Sequence, residues 1–574
     1  MKNRFIALFA AACMVASMAA GCGNSEGSGD ANQGGGAADT TTSESGAGDE
    51  GSTPDADAAD EDMAEINMLY LSMGPIPNGL QAVEDAINEI TEAEINTHVN
   101  IEMIETGNYE QQVNLKTSSS EKVDLMITMP SGSASFQNMA AQGQLMDITD
   151  LLDEYGQGIK DTVGNLLGAT TLNGKVNGVT TYRSLVTSMY IVMRTDVLED
   201  LGLLEDAQNV KSLDDFEKIL EAVKTSDKWS SLSGIVPSDA AGTTLGLGGF
   251  YPVADSFDDI QTYDQLGDLN KIIAINPDGS DPTVVNNLAT EEYRAIYDKM
   301  HDWYEKGYVY KDSTTNKEQA EQLVKSNVAF AYFSQSEIGI ESSKEQACGM
   351  PMTCVKMVSP YISTSNCTKF VWAVPSAATE PEAAIKMLNM MYTDERIANL
   401  LAWGIEDVNY VMGDDGLAHF VEGEDANNAA YHTADFLYGN QFLVKPWEGQ
   451  PADIREQAMA EMESAKQSAY LGFVCDTTGV STQLSAISNA LKEYMPGIDS
   501  GISDPSAYDD LLAKLETSGI QDVIDAYQEQ LDAWLAAGGN TASGSGDASA
   551  DTTTETTGET EAGAAETTAE TEAE

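Results

Sequence analysis

Four histidines, His98, His301, His419 and His432, are the side chains best suited to move protons near neutral pH. None stands in an HExxH pair, and none lies near a cysteine at metal-ligand spacing. His301 sits beside Met300 and Tyr304 on an apolar stripe and reads as a helix-surface residue. Cys348, Cys354 and Cys367 are close enough in sequence for one disulfide among them, with Cys475 further on. Buried free thiols account for them equally well. No G-x-S-x-G elbow is present. The run from Gly168 to Lys175 suggests a phosphate loop, but its spacing is one residue too long. Val176 stands where Ser or Thr is needed, so a turn is expected there. Asn276 to Asp281 carries part of a calcium-loop pattern without completing it, and reads as a surface turn. The 93 acidic residues are too many for any two to stand out as a hydrolytic pair. The residues therefore point to no catalytic site, no metal and no cofactor.

One cysteine is better placed for chemistry. Lys2 and Arg4 precede an apolar stretch from Phe5 to Val15, too short for a lasting membrane span. Ala19, Ala20 and Gly21 then lead to Cys22, the arrangement of a bacterial lipobox with Ala19 where leucine is usual. A thiol at that position takes a diacylglyceryl group. Ordinary secretion with an incidental cysteine is the competing reading. The expectation is a lipoprotein signal peptide over 1–21, lipidation of Cys22, and an extracytoplasmic protein held on the cell membrane by its acyl chains.

The whole chain is 574 residues with a formal net charge of −64. Phosphate would repel such a chain, which argues against nucleic acid and against direct adsorption to anionic lipid. Residues 22–65 are Gly, Ser, Ala, Asp and Thr with hardly a large apolar side chain. They cannot bury enough surface to offset ordering, so a disordered acidic tether is expected. Residues 541–574, rich in Thr, Glu and Ala, read as a disordered tail of unassigned role.

Between these lies the stretch 66–540, long enough to fold. Ile66 to Leu71 reads as a strand, followed by the turn Gly74-Pro75-Ile76-Pro77. Asn78 with Gln81 three residues on suggests a capping box, and Leu80, Val83, Ile87 and Ile90 line one helix face. Val99 to Ile104 alternates as a strand, a polar helix follows around Tyr109 to Lys116, and Val123 to Thr128 reads as a buried strand. Strand and helix alternate, which predicts an α/β unit with a largely parallel sheet. Further on, Ser212 caps a helix bearing Phe216, Ile219, Leu220 and Val223. Tyr293, Ile296, Tyr297 and Met300 mark another helix, and Val328–Phe333 and Phe370–Val374 are strands. Pro381 opens a helix at N1, and Ile520 to Trp534 carries the last one.

Several stretches together carry a family resemblance. Gly174-Lys175-Val176-Asn177-Gly178-Val179 precedes Tyr182-Arg183, then Arg194-Thr195-Asp196 running to Leu201-Gly202, then Ser212-Leu213-Asp214-Asp215-Phe216. Glu380-Pro381-Glu382-Ala383 and Trp403-Gly404-Ile405-Glu406-Asp407-Val408-Asn409-Tyr410 follow in order, and Gly472 to Thr477 closes the set. The progression resembles that of extracellular solute-binding proteins of bacterial ABC importers, with Asn177 and Thr180 replacing the usual Tyr and Pro. The resemblance implies a two-lobed periplasmic-binding-protein (Venus flytrap) clamp with interlobe crossings, flanked by the disordered tails. It places the first lobe at about 66–182 and 350–400, and the second at about 185–343 and 401–537. A solute binds in the interlobe cleft, the lobes hinge shut, and a permease reads the closed form.

Members of the resembling subgroup take sugars or oligosaccharides, which present apolar C–H faces and many hydroxyls. Aromatic rings and directed polar groups suit such a ligand. Of six tryptophans, Trp534 and Trp303 lie on helix stripes and read as core, and Trp229 is ambiguous. Trp372, Trp403 and Trp447 are candidates for ligand contact, with Glu406 beside Trp403. Strand ends add Ser72 and Pro75, Ser131 and Gly132, and Phe333. Tyr182 and Arg183 stand where the chain leaves the first lobe, the competing reading of Arg183 being a surface ion pair. Asp476 either accepts sugar hydroxyls or caps a helix. The function expected is capture of a small solute, most simply a carbohydrate, for delivery to ABC permease subunits, without catalysis. A surface sensor or adhesin using the same clamp is the alternative, and a surface glycoside hydrolase a weaker one.

Overall fold

The computed structural model describes residues 63–119, 121–237, 250–359, 361–425 and 428–539. The expected signal peptide, Cys22, all but the last three tether residues, and the tail 541–574 lie outside the described residues.

The fold is mixed α/β with two lobes, each built on its own sheet. The first sheet has five strands, ordered Thr97–Glu105, Ala64–Ser72, Leu125–Ile127, Val371–Ala373 and Val179–Thr180. Ala64–Ser72 pairs in parallel with both neighbours, while Val371–Ala373 runs antiparallel to both of its own. The largely parallel sheet expected thus holds only for its opening strands. The first strand starts at Ala64, two residues before Ile66. The helix Leu80–Ile95 covers this sheet with Val83 and Ile87 buried. Its Asn88 Nδ2 donates to Val99 O at 3.0 Å and its Oδ1 accepts from Val99 N at 2.7 Å, docking helix on strand. The Asn78 capping box does not form: Gly79 is the N-cap, and Gln81 Nε2 donates to Glu84 and Asp85 instead. Ser212 does cap its helix, accepting from Asp215 N at 3.1 Å.

The second sheet has four strands, ordered Met352–Val358, Ser188–Arg194, Ala329–Ser336 and Ser233–Val236. Only the last two pair in parallel. Side-chain alternation gives this sheet two buried faces. Met189, Ile191 and Met193 face one apolar cluster, and Tyr190 and Val192 face another. Three long helices at the C-terminal end, Ser481–Asp499, Pro505–Thr517 and Ile520–Ala536, add Ile487, Leu511, Val523 and Leu531 to the larger of these cores.

The chain passes between lobes three times: near 186–189, near 357–362, and near 462–473. The last passage corrects the expected second-lobe range. Leu401 to Met462 packs with the first lobe, through Trp403, Tyr410, Tyr431, Tyr438 and Val444; Tyr470 packs with the second lobe, Leu471 still with the first, and from Phe473 onward the chain joins the second. Met352–Val358 likewise belongs to the second lobe, because it pairs with Ser188–Arg194. Cys348, Cys354, Cys367 and Cys475 are all free thiols. No described helix is long and apolar enough to cross a membrane.

Candidate functional site

A cleft of about 360 Å3 opens between the lobes. One wall is a second-lobe loop carrying Tyr263, Asp264, Gln265, Asp268, Leu269 and Lys271. The facing wall carries Tyr361, Ser363, Asn366 and Lys369, beside Ile362 and Cys367 of the first-lobe core. Thr187 and Gln335 lie between them.

The loop is held in shape by its own carboxylates. Asp268 Oδ1 accepts from Asn270 N at 3.0 Å, and its Oδ2 accepts from Ile272 N at 2.6 Å and Ile273 N at 3.1 Å. Asp264 Oδ1 accepts from Leu266 N at 2.8 Å. Burial nonetheless raises the pKa of both acids, outweighing these N–H donors. Leu266 and Lys271 adopt φ of +50° and +57°, a left-handed backbone that non-glycine residues hold only when their surroundings enforce it. At the tip, Leu269 is 80% exposed.

On the facing wall, Asn366 Oδ1 accepts from Ser363 N at 3.0 Å and Ser363 Oγ at 2.8 Å. Arg183 lies behind this wall, its side chain 7% exposed. It donates through Nη1 to Ser184 O at 2.8 Å and to Glu337 Oε1 at 3.3 Å, and through Nη2 to Asn366 O at 3.4 Å. Its buried Nε has no partner. Lys369 remains open to solvent, yet the surrounding walls withdraw enough water to lower its pKa, with Arg183 adding like-charge repulsion. Desolvation likewise raises the pKa of Glu337 against the pull of Arg183. No group of acids, histidines and cysteines among the described residues is placed to hold a metal. The Asn276–Asp281 segment bonds to itself, Asp278 Oδ1 accepting from Ser280 N at 2.8 Å.

None of the twelve residues expected to bind ligand lines this cleft, though Arg183 touches its wall. Trp372 is fully buried in the first-lobe sheet and donates through Nε1 to Leu437 O at 3.0 Å, a packing role that leaves no face for a ligand. Phe333 is buried against Phe216 in the second core. Ser72 is buried, its hydroxyl donating to Gly74 O, while Pro75 is exposed on the following turn. Ser131 and Gly132 are exposed, and Gly132, at φ +83°, accepts through its carbonyl from Ser135 Oγ and Asn138 Nδ2. Tyr182 is half-buried, edge-on to Phe442. Glu406 is exposed and accepts from Tyr410 OH. Asp476 is exposed and accepts from Thr478 N at 2.9 Å in a local turn; the N-cap of the short helix that follows is Thr477, so Asp476 does not cap it. Trp403 and Trp447 do come together, ring centroids 4.6 Å apart, in an aromatic box with Phe420 and His432. The cleft residues missed in the sequence had one signal: Ser363-Thr364-Ser365-Asn366 and the Asp-rich 264–271 segment are polar runs between apolar elements.

Two sheets, three crossings and a polar cleft between lobes define a solute-binding clamp. The chain belongs to the family of bacterial extracellular solute-binding proteins, whose profile matches residues 85–407. A second profile, a domain of unknown function, matches residues 469–536, which contain the three C-terminal helices. Over 490 residues the chain is 23% identical to a carbohydrate ABC transporter substrate-binding protein of Streptococcus pneumoniae serotype 4, covering 83% of this chain and 92% of the relative. The crystal structure of the N-glycan transport solute binding protein NgtS from Streptococcus pneumoniae superposes with a TM-score of 0.68 at 21% identity, covering 82% of this chain and 99% of that one. An HMO-binding, ABC-transporter-associated solute binding protein from Bifidobacterium longum infantis gives a TM-score of 0.54 at 16% identity, covering 82% of this chain and 99% of that one.

Proposed function

We propose that this chain is the substrate-binding component of an ABC importer, that it captures an oligosaccharide between its lobes, and that it delivers the sugar unchanged to permease subunits. The observation that carries this reading is the cleft: both walls present tyrosine and amide side chains, and the first-lobe wall adds serine hydroxyls, the groups that pair with sugar hydroxyls and cover sugar C–H faces. The carbohydrate named for the relatives agrees with it. Titration of the purified chain with an oligosaccharide panel by calorimetry tests it. Heat of binding with the sugar recovered intact is expected. Silence across the panel refutes the carbohydrate clause, and product release on long incubation would favour a hydrolase instead.

Lipid anchoring through Cys22 completes the proposal. Support comes from the run Ala19-Ala20-Gly21-Cys22 behind a basic and apolar leader, and from the family's extracellular character. Cys22→Ala is expected to release the protein from the membrane fraction. Retention there would refute the anchor.

A further inference from the structure

We propose that the sugar held in this cleft bears carboxylate groups, and that Lys369, backed by Arg183, receives the acid. The inference rests on the carbohydrate reading above and narrows its substrate class.

Basic residues are scarce in this chain, 29 against 93 acidic ones. Two of them nevertheless line one cleft of about 360 Å3, and a third lies directly behind its wall. Lys369 forms no ion pair among the described residues. Among the described residues, Arg183 and Lys271 repel Lys369, and Glu337 is the acid that attracts it. Glu337 is already engaged by Arg183 at 3.3 Å.

Arg183 is itself under-satisfied. Its guanidinium is buried, two of its three protein contacts are as long as 3.3 and 3.4 Å, and its Nε–H meets no acceptor among the described residues. A buried donor without an acceptor is costly, and such groups are rare in folded chains. The carboxylates that do line the cleft offer little relief. Asp264 and Asp268 are turned to the N–H groups of their own loop, where burial disfavours their charge. Neutral hydroxyls could accept hydrogen bonds here but would leave the repulsion between Lys369 and Arg183 in place. A carboxylate cancels that repulsion and forms charge-assisted hydrogen bonds, the stronger class. Uronic and sialic acid residues bring that group on a sugar frame.

The full chain, purified in detergent, can be applied to a glycan array carrying neutral and carboxylate-bearing oligosaccharides. Enrichment of acidic glycans is expected. Calorimetry on the best acidic glycan and its carboxyl-reduced counterpart should then give a roughly tenfold tighter Kd for the acid. That gap should shrink as salt is raised. Lys369→Met, at an exposed position, should remove most of the gap between the acid and its reduced form. Preference for neutral glycans, or equal affinity for acid and reduced forms, would overturn this inference and leave the carbohydrate reading standing. Silence across the whole array would overturn both.

Discussion

Leu269 offers a direct test of which wall of the cleft meets the ligand. It is 80% exposed, the most exposed large apolar side chain described, on a loop whose shape is fixed by Asp264 and Asp268. An apolar side chain so held in water has little role in the free fold. Leu269→Ala removes roughly three carbon groups, worth about 0.8 kcal/mol each if fully covered. A sugar ring lying against one side covers about half of that surface, so a loss of about 1 kcal/mol, or a five- to tenfold weaker Kd, is expected. The melting temperature should stay unchanged, since exposed substitutions generally shift stability by less than about 0.5 kcal/mol. Calorimetry with a glycan bound by the wild type, beside thermal unfolding without ligand, separates the two effects. Equal affinity in an equally stable variant would refute a gripping role for the loop.

Trp403→Ala should cost about 3–5 kcal/mol of first-lobe stability, because the indole is 4% exposed, stacks on His432 and donates to Lys445 O at 2.9 Å. Hydrogen exchange of first-lobe amides would read it, and native-like protection would contradict the packing. His432 has its pKa lowered to about 4 by burial, against an ordinary value of 6.5. The unfolded chain therefore binds more protons between those values, so this group's contribution is full above about pH 6.5 and is lost as pH falls toward 4, by on the order of 3 kcal/mol. His432→Phe should flatten stability over that window; a profile as steep as the wild type's would disprove the assignment. His419 runs the other way: Asp415 and Glu448 raise its pKa, so its contribution is present at low pH and lost as pH rises through the raised value. Glu337→Gln should change stability by no more than about 1 kcal/mol, because desolvation of the carboxylate offsets its pull on Arg183; a loss of several kcal/mol in denaturant titration would count against that.

Elements driven by local pattern could be read without the structure. The stripe of Leu80, Val83 and Ile87, the cap at Ser212 and the proline opening Pro381–Thr393 each depend on neighbours within a few residues. Lobe membership could not be read this way. Whether Leu401–Met462 joins one core or the other depends on contacts such as Tyr70 stacked on Tyr438, 368 positions apart in no periodic relation. The site suffered for the same reason. Tryptophan was the natural choice for a sugar platform, but Trp372 is used to seal a sheet and Trp403 to build an aromatic box. The cleft falls instead to tyrosines, amides and lysines brought from segments about a hundred residues apart, Lys271 and Lys369 among them. Their convergence is a property of topology, which a single sequence does not print.

Two bodies joined by one strand of chain can swing and twist freely about it. The three separate passages, near 186–189, 357–362 and 462–473, act instead as a door hung on three hinges. Such a mounting leaves one principal rotation and suppresses the rest. A ligand then orders few degrees of freedom when it shuts the lobes, so less of its contact energy is consumed by entropy. Under the proposed import function, the same mounting would present the two lobe faces to a permease in a fixed relative setting at each closure.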